Sequence, residues 1–434
     1  MKKIQLLLFC VGLIIFNYTY AQPTKIDTLQ YNGDINKFIN IVIMGDGYTG
    51  AEQSKFVEDA QKMSDYIFSL SPWKEYQNYF NVFAIEVISA ESGISHPATS
   101  TDGDCSEVPK STVNTYFSTR FDYGGIHRLV VPTNYQNISS ALAAYFPQYD
   151  QVIILANSSY YGGSGGAEAT STTHSSSPEI VAHEIAHSFA SLGDEYYAGD
   201  QYNREKPNMT QETDPTLVRW KNWLYTNDIG IYPYGTTGNQ ALWFRPHQNC
   251  KMRYLGKPYC NVCSQTIIEK IHKLTNVVLS YKPVVNDVFM PEYNDFTLSL
   301  IEPIPNTLNI QWQLDDNPLD YNNMDTIRIT HQELEDGLHT LSAVVVDTTD
   351  LLRVDGHSAV HFSKIDWTIN RSVLVMQIQL SPKNLTLLAG GDSATLEYSI
   401  LPSDATNKVV SWTSTNPSVA SVNDGVVFGL TEGE

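Results

Sequence analysis

Residues 177–197 read SPEIVAHEIAHSFASLGDEYY and contain the motif H-E-x-x-H, formed by His183, Glu184 and His187. Four residues make slightly more than one turn of an α-helix, so the two histidines project from the same face. Imidazoles at this spacing can bind one Zn²⁺, and the adjacent glutamate can act as a general base. The motif therefore predicts a zinc site with His183 and His187 as ligands and Glu184 as a catalytic residue.

The residues around the motif favour a helix. Ser177 is a good N-cap, Pro178 is tolerated at the first helical position, and Gly193 allows a sharp turn at the other end. A second, apolar stripe would pack against a core, and it consists of Val181, Ile185, Phe189 and Leu192. A chance match to the motif would rarely lie on an amphipathic helix of this kind.

The composition favours a soluble protein with several domains. A length of 434 residues is too great for one ordinary domain, and 42% hydrophobic residues can fill the cores. Asp and Glu outnumber Lys and Arg by 47 to 27, which gives a formal net charge of −20. This charge argues against nucleic acid and anionic membranes as partners, and it leaves room for structural Ca²⁺.

Residues 1–21 have the pattern of a secretory signal peptide. Lys2 and Lys3 form the basic start, residues 6–16 form the apolar run, and cleavage is expected near Ala21. The run is too short to span a bilayer, and no later segment has the length and apolar character that a span needs. We therefore expect a secreted or cell-surface protein without a transmembrane segment.

Four cysteines remain after the signal peptide, and they are Cys105, Cys250, Cys260 and Cys263. In an oxidising compartment four cysteines allow three disulfide pairings, among which the sequence does not choose. The pair Cys260-x-x-Cys263 could instead be half of a structural zinc site. Because the second half is not evident, disulfides are the preferred interpretation.

An alternation of strands and helices precedes the motif. Strands are predicted at residues 38–44, 79–88, 127–132 and 152–157, and Thr49 and Glu52 form a capping box that opens a helix. This order predicts an α/β (α+β) domain, residues 22–275, with a mixed sheet and the H-E-x-x-H helix packed on it. The glycine-rich segment 160–166 is either a linker or a sheet edge that pairs with an extended peptide.

From about residue 276 the pattern changes to short alternating strands separated by turns. Two all-β Ig-like sandwich units are predicted, one at residues 276–371 and one at residues 372–434. Neither unit contains a cluster of catalytic residue types. We interpret them as appendages that bring the protein to its substrate, to a cell-surface protein or to a glycan.

Six segments of the first domain are distinctive. They are residues 40–49 (NIVIMGDGYT), 90–97 (AESGISHP), 161–166 (YGGSGG), 174–178 (HSSSP), 183–196 (HEIAHSFASLGDEY) and 250–253 (CKMR). Together they resemble the IgA-peptidase family of secreted zinc metallopeptidases, over about residues 28–275. The resemblance implies a metzincin-like fold, with a sheet above the motif helix and a methionine turn below the metal. On that analogy Met252 is the methionine of the turn.

Residues 373–434 contain one distinctive segment, residues 410–422 (VSWTSTNPSVASV). It resembles a bacterial Ig-like domain of group 2. The last strand or two of that pattern are missing after Gly429, so we expect this module to be incomplete.

The third zinc ligand is expected just after the motif helix. A standard metzincin has glycine three residues and histidine six residues after the second motif histidine, where this chain has Ala190 and Gly193. On a straight helix Asp194 would share the histidine face but lie about 10 Å further along the axis, so the chain must fold back near Gly193. We predict Asp194 as the ligand. Glu195 is the alternative, and one of the two carboxylates could instead only orient a histidine.

The resemblance also suggests a catalytic tyrosine. Tyr254 follows Met252 by two residues, where several metzincins place a tyrosine near the zinc, and it is predicted to stabilise the oxyanion. Packing within the loop is the alternative role for Tyr254. His174 and His247 could also approach the metal, but lone histidines in polar loops more often face solvent.

The sequence therefore predicts a secreted zinc endopeptidase with one catalytic Zn²⁺, which hydrolyses extracellular proteins through a zinc-activated water with Glu184 as general base. The alternative is a surface adhesion or binding protein whose peptidase-like domain is catalytically silent. A narrower possibility is a zinc hydrolase that acts on a non-peptide amide. The intact His183, Glu184 and His187 favour the first interpretation, because loss of activity usually removes one of these residues.

Overall fold

In a computed structural model of the chain, residues 25–290, 292–356, 361–403 and 405–434 are described. The predicted signal peptide, residues 1–21, lies outside this part. The chain divides into two compact units. The first extends to Asn276 and includes Glu302–Thr307 and Thr349–His357, and the second comprises Val277–Ile301, Leu308–Thr348 and Ser358–Glu434.

A mixed β-sheet forms the centre of the first unit. Its strands are β1 (Lys25–Gln30), β2 (Ile39–Asp46), β3 (Phe80–Glu86), β4 (Gln151–Ala156), β5 (Gly163–Ser164) and β6 (Ala169–Ser171). The spatial order is β1-β3-β2-β4-β6-β5. The pairs β2/β3, β2/β4 and β4/β6 are parallel, and both outermost strands run antiparallel to their neighbours. The predicted mixed sheet is confirmed.

Helices cover both faces of this sheet. They are α1 (Gln53–Ile67), α2 (Tyr135–Tyr145), α3 (Ser177–Ala190) and α4 (Asn261–Leu274). Every residue of β2 and of β4 is buried, as expected for parallel strands covered on both sides. On one face Val42, Phe83 and Ile154 pack with Ile138 of α2, while α1 and α3 contact each other and the opposite face. The motif helix α3 therefore lies directly on the sheet.

The capping box that was predicted before α1 is confirmed. The backbone N–H of Thr49 donates to Glu52 Oε2 over 2.9 Å, and both halves of the box are present. It begins a short 3-10 turn, Gly50–Glu52, that leads into the α-helix. A Glu side chain that accepts from an otherwise unpaired N–H stabilises such a start.

The ends of α3 differ in detail from the prediction. The helix already includes Ser177, so Ser176 and not Ser177 is the N-cap residue, and Pro178 lies within the first turn. At the other end the sharp turn is made by Ser191 and not by Gly193. The φ angle of Ser191 is 57°, in the left-handed region. The N–H of Leu192 then donates to the carbonyl of Ala186. This closure turns the following residues back towards the helix.

Residues 94–131 form an irregular loop region, and the strand predicted at residues 127–132 is not present. Isolated bridges join Arg120 to Val131 and Leu129 to Gly163 in place of a continuous ladder. Pro132 has no N–H to donate, so the apolar run cannot continue as a strand at this point. The run is buried by loop packing, which its composition alone does not distinguish from a strand.

A buried carboxylate fixes this loop region to the sheet. Asp46, at the end of β2, accepts hydrogen bonds from the N–H groups of Phe117 and Thr119, both 2.9 Å long. It also accepts one of 2.9 Å from the Thr115 hydroxyl. Because hydrogen bonds to a charged acceptor are stronger than neutral ones, Asp46 is a firm anchor for the loop.

The remaining strands of the first unit are short, and those of the second unit form several sheets. The first unit adds β7 (Tyr232–Pro233) and β8 (Phe244–Arg245). The second unit contains β9 (Val278–Lys282), β10 (Asp287–Phe289), β11 (Tyr293–Leu300), β12 (Leu308–Leu314), β13 (Asn317–Pro318), β14 (Thr326–Thr330), β15 (Gly337–Asp347), β16 (Phe362–Arg371), β17 (Gln377–Ser381), β18 (Ser393–Thr395), β19 (Glu397–Leu401), β20 (Ala420–Asn423) and β21 (Val426–Gly429).

Aromatic side chains join two sheets of the second unit. The sheets have the orders β10-β16-β15-β12-β13 and β14-β11-β9. Trp367 of β16 stacks with Trp312 of the same sheet and meets Phe296 and Tyr281 of the other sheet, with ring centroids 5.2 to 5.8 Å apart. Rings at such distances add to the apolar burial that holds the sheets together.

The end of the second unit consists of the smaller sheets β17-β19 and β18-β21-β20. Their strands leave most side chains exposed or half-buried, unlike the fully buried β2. Across the described residues of both units, no helix has the length and apolar character needed to cross a membrane.

Candidate active site and metal clusters

The structure brings His183, His187 and Asp194 together. Oδ1 of Asp194 lies 3.0 Å from Nε2 of His183 and 3.2 Å from Nε2 of His187. The two Nε2 atoms are 3.1 Å apart. Ligand atoms about 2 Å from one zinc ion are separated by about 3.3 Å when the geometry is tetrahedral, so these three donors fit such an ion.

Backbone carbonyl groups orient both histidine rings. Nδ1 of His183 lies 3.0 Å from the carbonyl oxygen of Lys251, and Nδ1 of His187 lies 2.8 Å from that of Leu192. Because a carbonyl oxygen only accepts, each Nδ1 carries a proton and donates it, which leaves each Nε2 lone pair for the shared site. Metal-binding histidines have this arrangement.

The turn at the end of α3 explains how Asp194 reaches the histidines. Ser191 reverses the chain in the left-handed conformation, and the N–H of Gly193 donates to the Asn208 side chain over 2.7 Å. Asn208 also donates to the Gly193 carbonyl over 2.8 Å. A buried amide therefore holds the segment in the position that the fold-back requires.

Glu184 lies beside the three donors and close to the glycine-rich segment. A Cβ atom added to Gly165 would be 2.7 Å from Glu184 Oε2 and 3.1 Å from the Cβ of His187. Only glycine allows the backbone to approach the glutamate so closely. The segment is therefore part of the site and not a remote linker.

The glycine-rich segment 160–166 contributes to a sheet edge, as one of its two interpretations predicted. Strand β5, Gly163–Ser164, is the outermost strand in the sheet order. However, the N–H of Gly163 donates to the Arg128 carbonyl over 3.0 Å, and its carbonyl accepts from the Val130 N–H over 3.4 Å. The outward-facing N–H and C=O groups of Gly163 are therefore already hydrogen-bonded to the loop region.

Charges within the site influence one another. Burial lowers the pKa of His187, but hydrogen bonding to Asp194 and the charges of Asp194 and Glu184 raise it to about 9. Burial raises the pKa of Asp194, but hydrogen bonds from His183 and His187 hold it well below its usual range. Burial raises the pKa of Glu184, against both histidines, which lower it. Asp194 and Glu184 thus favour positive charge beside them, and a cation bound at the Nε2 atoms would take the place of the His187 Nε2 proton.

Glu195 points away from this site. It is fully buried, its N–H donates to the Met252 carbonyl over 2.7 Å, and its Oε1 lies 3.3 Å from Cys263 Sγ. Burial raises the pKa of the Glu195 carboxyl well above its usual range, and Cys250 raises it further. Of the two neighbouring carboxylates, the structure therefore places Asp194 at the histidines.

The cysteines are not paired as disulfides, contrary to the prediction. All four described cysteines are free and buried. Cys105 lies with two histidines and an aspartate, whereas Cys250, Cys260 and Cys263 lie with Glu195. Because three thiols meet in one place and the fourth is elsewhere, two disulfides cannot form. Cys250 and Glu195 therefore lie where the second half of a Cys260-x-x-Cys263 site would be expected.

Tyr196, and not Tyr254, is the tyrosine that the structure brings to the histidines. The Tyr196 ring lies 6.3 Å from that of His183, and burial raises its pKa, as do the charges of Asp194 and Glu184. Tyr254 is 45% exposed, and its ring contacts the Arg253 guanidinium. Tyr196 belongs to the distinctive segment 183–196, so the signal for it was present in the sequence, but the family resemblance implies a tyrosine at the methionine turn.

The remaining residues that the sequence suggested for the site are Met252, His174 and His247, and each makes different contacts. Met252 is fully buried, and its backbone carbonyl binds Glu195. Nδ1 of His174 accepts from the Ser176 N–H over 3.1 Å, at the start of α3. Nδ1 of His247 accepts from the Asn249 N–H over 3.0 Å. These hydrogen bonds give both histidines local roles in the backbone turns that contain them.

Within the described ranges, three groups of side chains could each hold a metal ion. They are His183, His187 and Asp194; Glu195, Cys250, Cys260 and Cys263; and His96, Cys105, Asp122 and His127. Each contains histidine or cysteine, donors that suit zinc better than calcium. The last group was not anticipated from the sequence, although its four donors fall within one loop region.

Two family models match parts of the chain. The model of the IgA Peptidase M64 family matches residues 28–238, and that of the Bacterial Ig-like domain (group 2) matches residues 374–434. No curated protein matches the chain. The first match ends before Met252, and it includes His183, Glu184, His187 and Asp194. The two matches confirm both resemblances stated from the sequence. The chain therefore carries an IgA peptidase M64 domain within a mixed α/β fold, followed by a β-rich region with a bacterial Ig-like domain.

Proposed function

We propose that the protein is a secreted zinc metalloendopeptidase. The single observation that carries this proposal is the meeting of His183, His187 and Asp194 at 3.0 to 3.2 Å, with Glu184 beside them. The peptidase M64 domain supplies the reaction class, hydrolysis of a protein substrate. The Ig-like domain is compatible with an extracellular location.

The donor set supports zinc as the metal. Two neutral imidazoles and one carboxylate leave a fourth position open, as catalytic zinc sites do. A zinc ion bound there would polarise the scissile carbonyl and make a water molecule more acidic. The carbonyls of Lys251 and Leu192 keep the Nε2 atoms of both histidines free for it.

Glu184 is the proposed general base. It takes a proton from the attacking water onto a carboxylate oxygen and passes that proton to the leaving amine. The lack of a side chain at Gly165 leaves space for the Glu184 carboxylate, because a Cβ atom there would lie 2.7 Å from Oε2. The raised pKa of Glu184, caused by burial, makes it a better proton acceptor than an exposed glutamate.

A tyrosine is the proposed donor to the oxyanion. The sequence pointed to Tyr254, but the proximity of Tyr196 to His183 favours Tyr196. The Arg128 guanidinium lies near Tyr196 and Glu184 and opposes the effect of burial on both pKa values. A cationic group there would also favour negative charge on the substrate oxygen.

The β-rich region is proposed to consist of two Ig-like sandwiches, residues 276–371 and 372–434. They would position the peptidase near a substrate, a cell-surface protein or a glycan. The alternative function, a binding protein with a silent peptidase-like domain, would use the same region. The intact Glu184 and its three neighbouring donors favour the enzyme.

The test compares the wild-type protein with Glu184→Ala on a pool of extracellular proteins, with new N-termini identified by mass spectrometry. Glu58→Ala, an exposed substitution on α1, is the control. We expect new termini from the wild type and the control, and none above background from Glu184→Ala. Identical termini from all three proteins, with zinc confirmed bound, would contradict the proposal and move attention to binding by the β-rich region.

A further inference from the structure

A second group of metal-binding side chains lies in the loop region, apart from the proposed active site. His96, Cys105, Asp122 and His127 are each less than a tenth exposed. Cys105 Sγ lies 3.4 Å from His96 Nε2 and 3.8 Å from Asp122 Oδ1. Asp122 lies 3.3 Å from His96 Nε2 and 2.8 Å from His127 Nδ1. Four ligands of one tetrahedral zinc ion are separated by about 3.3 to 3.6 Å.

The cluster is unfavourable without a cation. Nδ1 of His96 lies 3.2 Å from the Pro109 carbonyl, which only accepts, so Nδ1 carries the proton of the neutral ring. The Nε2 lone pair then faces an oxygen of Asp122, which already accepts from the Thr99 N–H over 2.7 Å. Cys105 and Asp122, whose side chains are both acidic, also face each other in this buried space, with Sγ 3.8 Å from Oδ1.

A zinc ion removes both difficulties. A Cys thiolate and an Asp carboxylate balance the two charges of Zn²⁺, and two neutral imidazoles complete four ligands. The rings of His96 and His127 pack on Phe121, with centroids 5.8 and 5.3 Å away, which leaves an apolar wall around the site. We propose that His96, Cys105, Asp122 and His127 bind a structural Zn²⁺. Because all four positions are taken by the protein, this site has no open position for chemistry.

The zinc would organise a region that has little regular structure of its own. Its ligands come from four separate points of the loop, and Asp122 is in the left-handed conformation with φ of 62°. Arg128, next to His127, pairs through its carbonyl with Gly163 and influences Glu184 through its side chain. The proposed site therefore holds the part of the loop that borders the active site.

The test counts zinc ions bound to the full chain by native mass spectrometry, after purification under reducing conditions without chelators. We expect Cys105→Ser and His127→Ala each to bind one zinc fewer than the wild type. Ser106→Ala, an exposed neighbour in the same turn, is the matched control and should lose none. Equal zinc counts in the wild type and both variants would overturn the proposal.

A measurement on the wild type decides the question if the variants do not fold. Alkylation of Cys105 is followed with zinc bound, after removal of zinc by a chelator, and after zinc is added back. We expect at least a tenfold faster reaction without zinc, with protection restored on addition. A rate that does not depend on zinc would show that burial alone protects the thiol, and the proposed site would not exist.

An independent observation points to a third site. Cys250 Sγ lies 3.6 Å from Cys263 Sγ, and Glu195 Oε1 lies 3.3 Å from Cys263 Sγ. Glu195 Oε2 is buried and has no hydrogen-bond partner among the described residues. A buried carboxylate oxygen without a partner beside three thiols indicates a missing cation. We infer that Cys250, Cys260, Cys263 and Glu195 bind a second structural Zn²⁺.

The competing state of this group is a disulfide between two of the three thiols. The mass of the denatured, non-reduced wild type, purified without added reductant, distinguishes the two states. Three free thiols, together with the loss of one zinc in Cys263→Ser but not in the neighbouring Ser264→Ala, are the expected results. A mass lower by two hydrogens, or an unchanged zinc count in Cys263→Ser, would overturn this site. Neither outcome depends on whether the protein is a peptidase.

Discussion

Two clusters of the peptidase domain use similar donors in different settings. His183, His187 and Asp194 lie on a helix and the turn that follows it, and both His187 and Asp194 remain partly exposed. His96, Cys105, Asp122 and His127 lie on an irregular loop and are all buried. The first has three donors, two of them partly exposed, whereas the second has four buried donors. Exposure and donor number are therefore the features that favour a catalytic role for the first cluster and a structural role for the second.

The largest expected difference is between equivalent substitutions in the two clusters. If Asp194 is a ligand of the proposed catalytic zinc, Asp194→Asn weakens its binding and removes several kcal/mol of transition-state stabilisation, so kcat/KM should fall by about 10³-fold. Asp122→Asn leaves buried partners uncompensated and should lower the free energy of unfolding by about 3 kcal/mol. Peptide hydrolysis and urea unfolding of both variants check this. A large loss of stability in Asp194→Asn with full activity per folded molecule would reverse the assignment.

Substitutions of Tyr196 and Tyr254 test which tyrosine acts in the proposed catalytic cluster. Tyr196→Phe should lower kcat by about 10²-fold, because it removes the proposed donor to the oxyanion. Tyr254→Phe should leave kcat within about twofold of the wild type, since its ring is exposed and contacts Arg253. Steady-state kinetics on one peptide, with zinc content measured in parallel, compare them. The opposite ranking would restore the prediction made from the sequence.

Substitutions of two neighbouring glycines test how closely the glycine-rich segment packs against Glu184, the proposed general base. Gly165→Ala places a methyl group 2.7 Å from Glu184 Oε2 and should lower kcat by about 10-fold to 10²-fold. Gly166→Ala meets its nearest atom at 3.9 Å, so it should have little effect. Both variants should bind zinc as the wild type does. A similar loss of activity in both would indicate that flexibility of the segment matters more than contact with Glu184.

The smallest effect is expected at the turn that returns Asp194 to the histidines. Ser191 has φ of 57°, a conformation that glycine adopts without the cost a serine carries. Ser191→Gly should therefore raise the free energy of unfolding by up to about 1 kcal/mol and leave hydrolysis unchanged. Urea unfolding checks the stability, with Ser188→Gly inside the helix as a control that should be destabilising. A destabilised Ser191→Gly would contradict this description of the turn.

The two clusters also show what a sequence can reveal. His183 and His187 are four residues apart on a helix, so their proximity follows from helix geometry alone. Asp194 required a further assumption, that the chain folds back. The positions of His96, Cys105, Asp122 and His127 depend on the course of a long loop, for which no periodicity exists. The strand predicted at residues 127–132 is absent, because a buried apolar run has the same composition in a loop as in a strand.

Other errors have similar physical causes. The four cysteines suggested disulfides because nothing in their spacing places Glu195 among three of them. The role of Tyr254 rests on the family resemblance and stays a prediction, whereas the approach of Tyr196 to His183 follows the turn at Ser191, which the sequence pattern does not specify. In contrast, the capping box at Thr49 and the buried strand β2 were predictable, since both depend on local sequence. Contacts between distant segments are what the sequence pattern leaves undetermined.

The hydrogen bond between His183 and the Lys251 carbonyl has a consequence for biosynthesis. The two residues are 68 positions apart, so the complete H-E-x-x-H motif is synthesised well before the group that fixes its first histidine. The four donors of the loop cluster, from His96 to His127, all precede the motif in the chain. During vectorial synthesis these donors are thus complete before the candidate active site is. A nascent chain that ends before Cys250 would contain the motif without the carbonyl group that orients its first histidine.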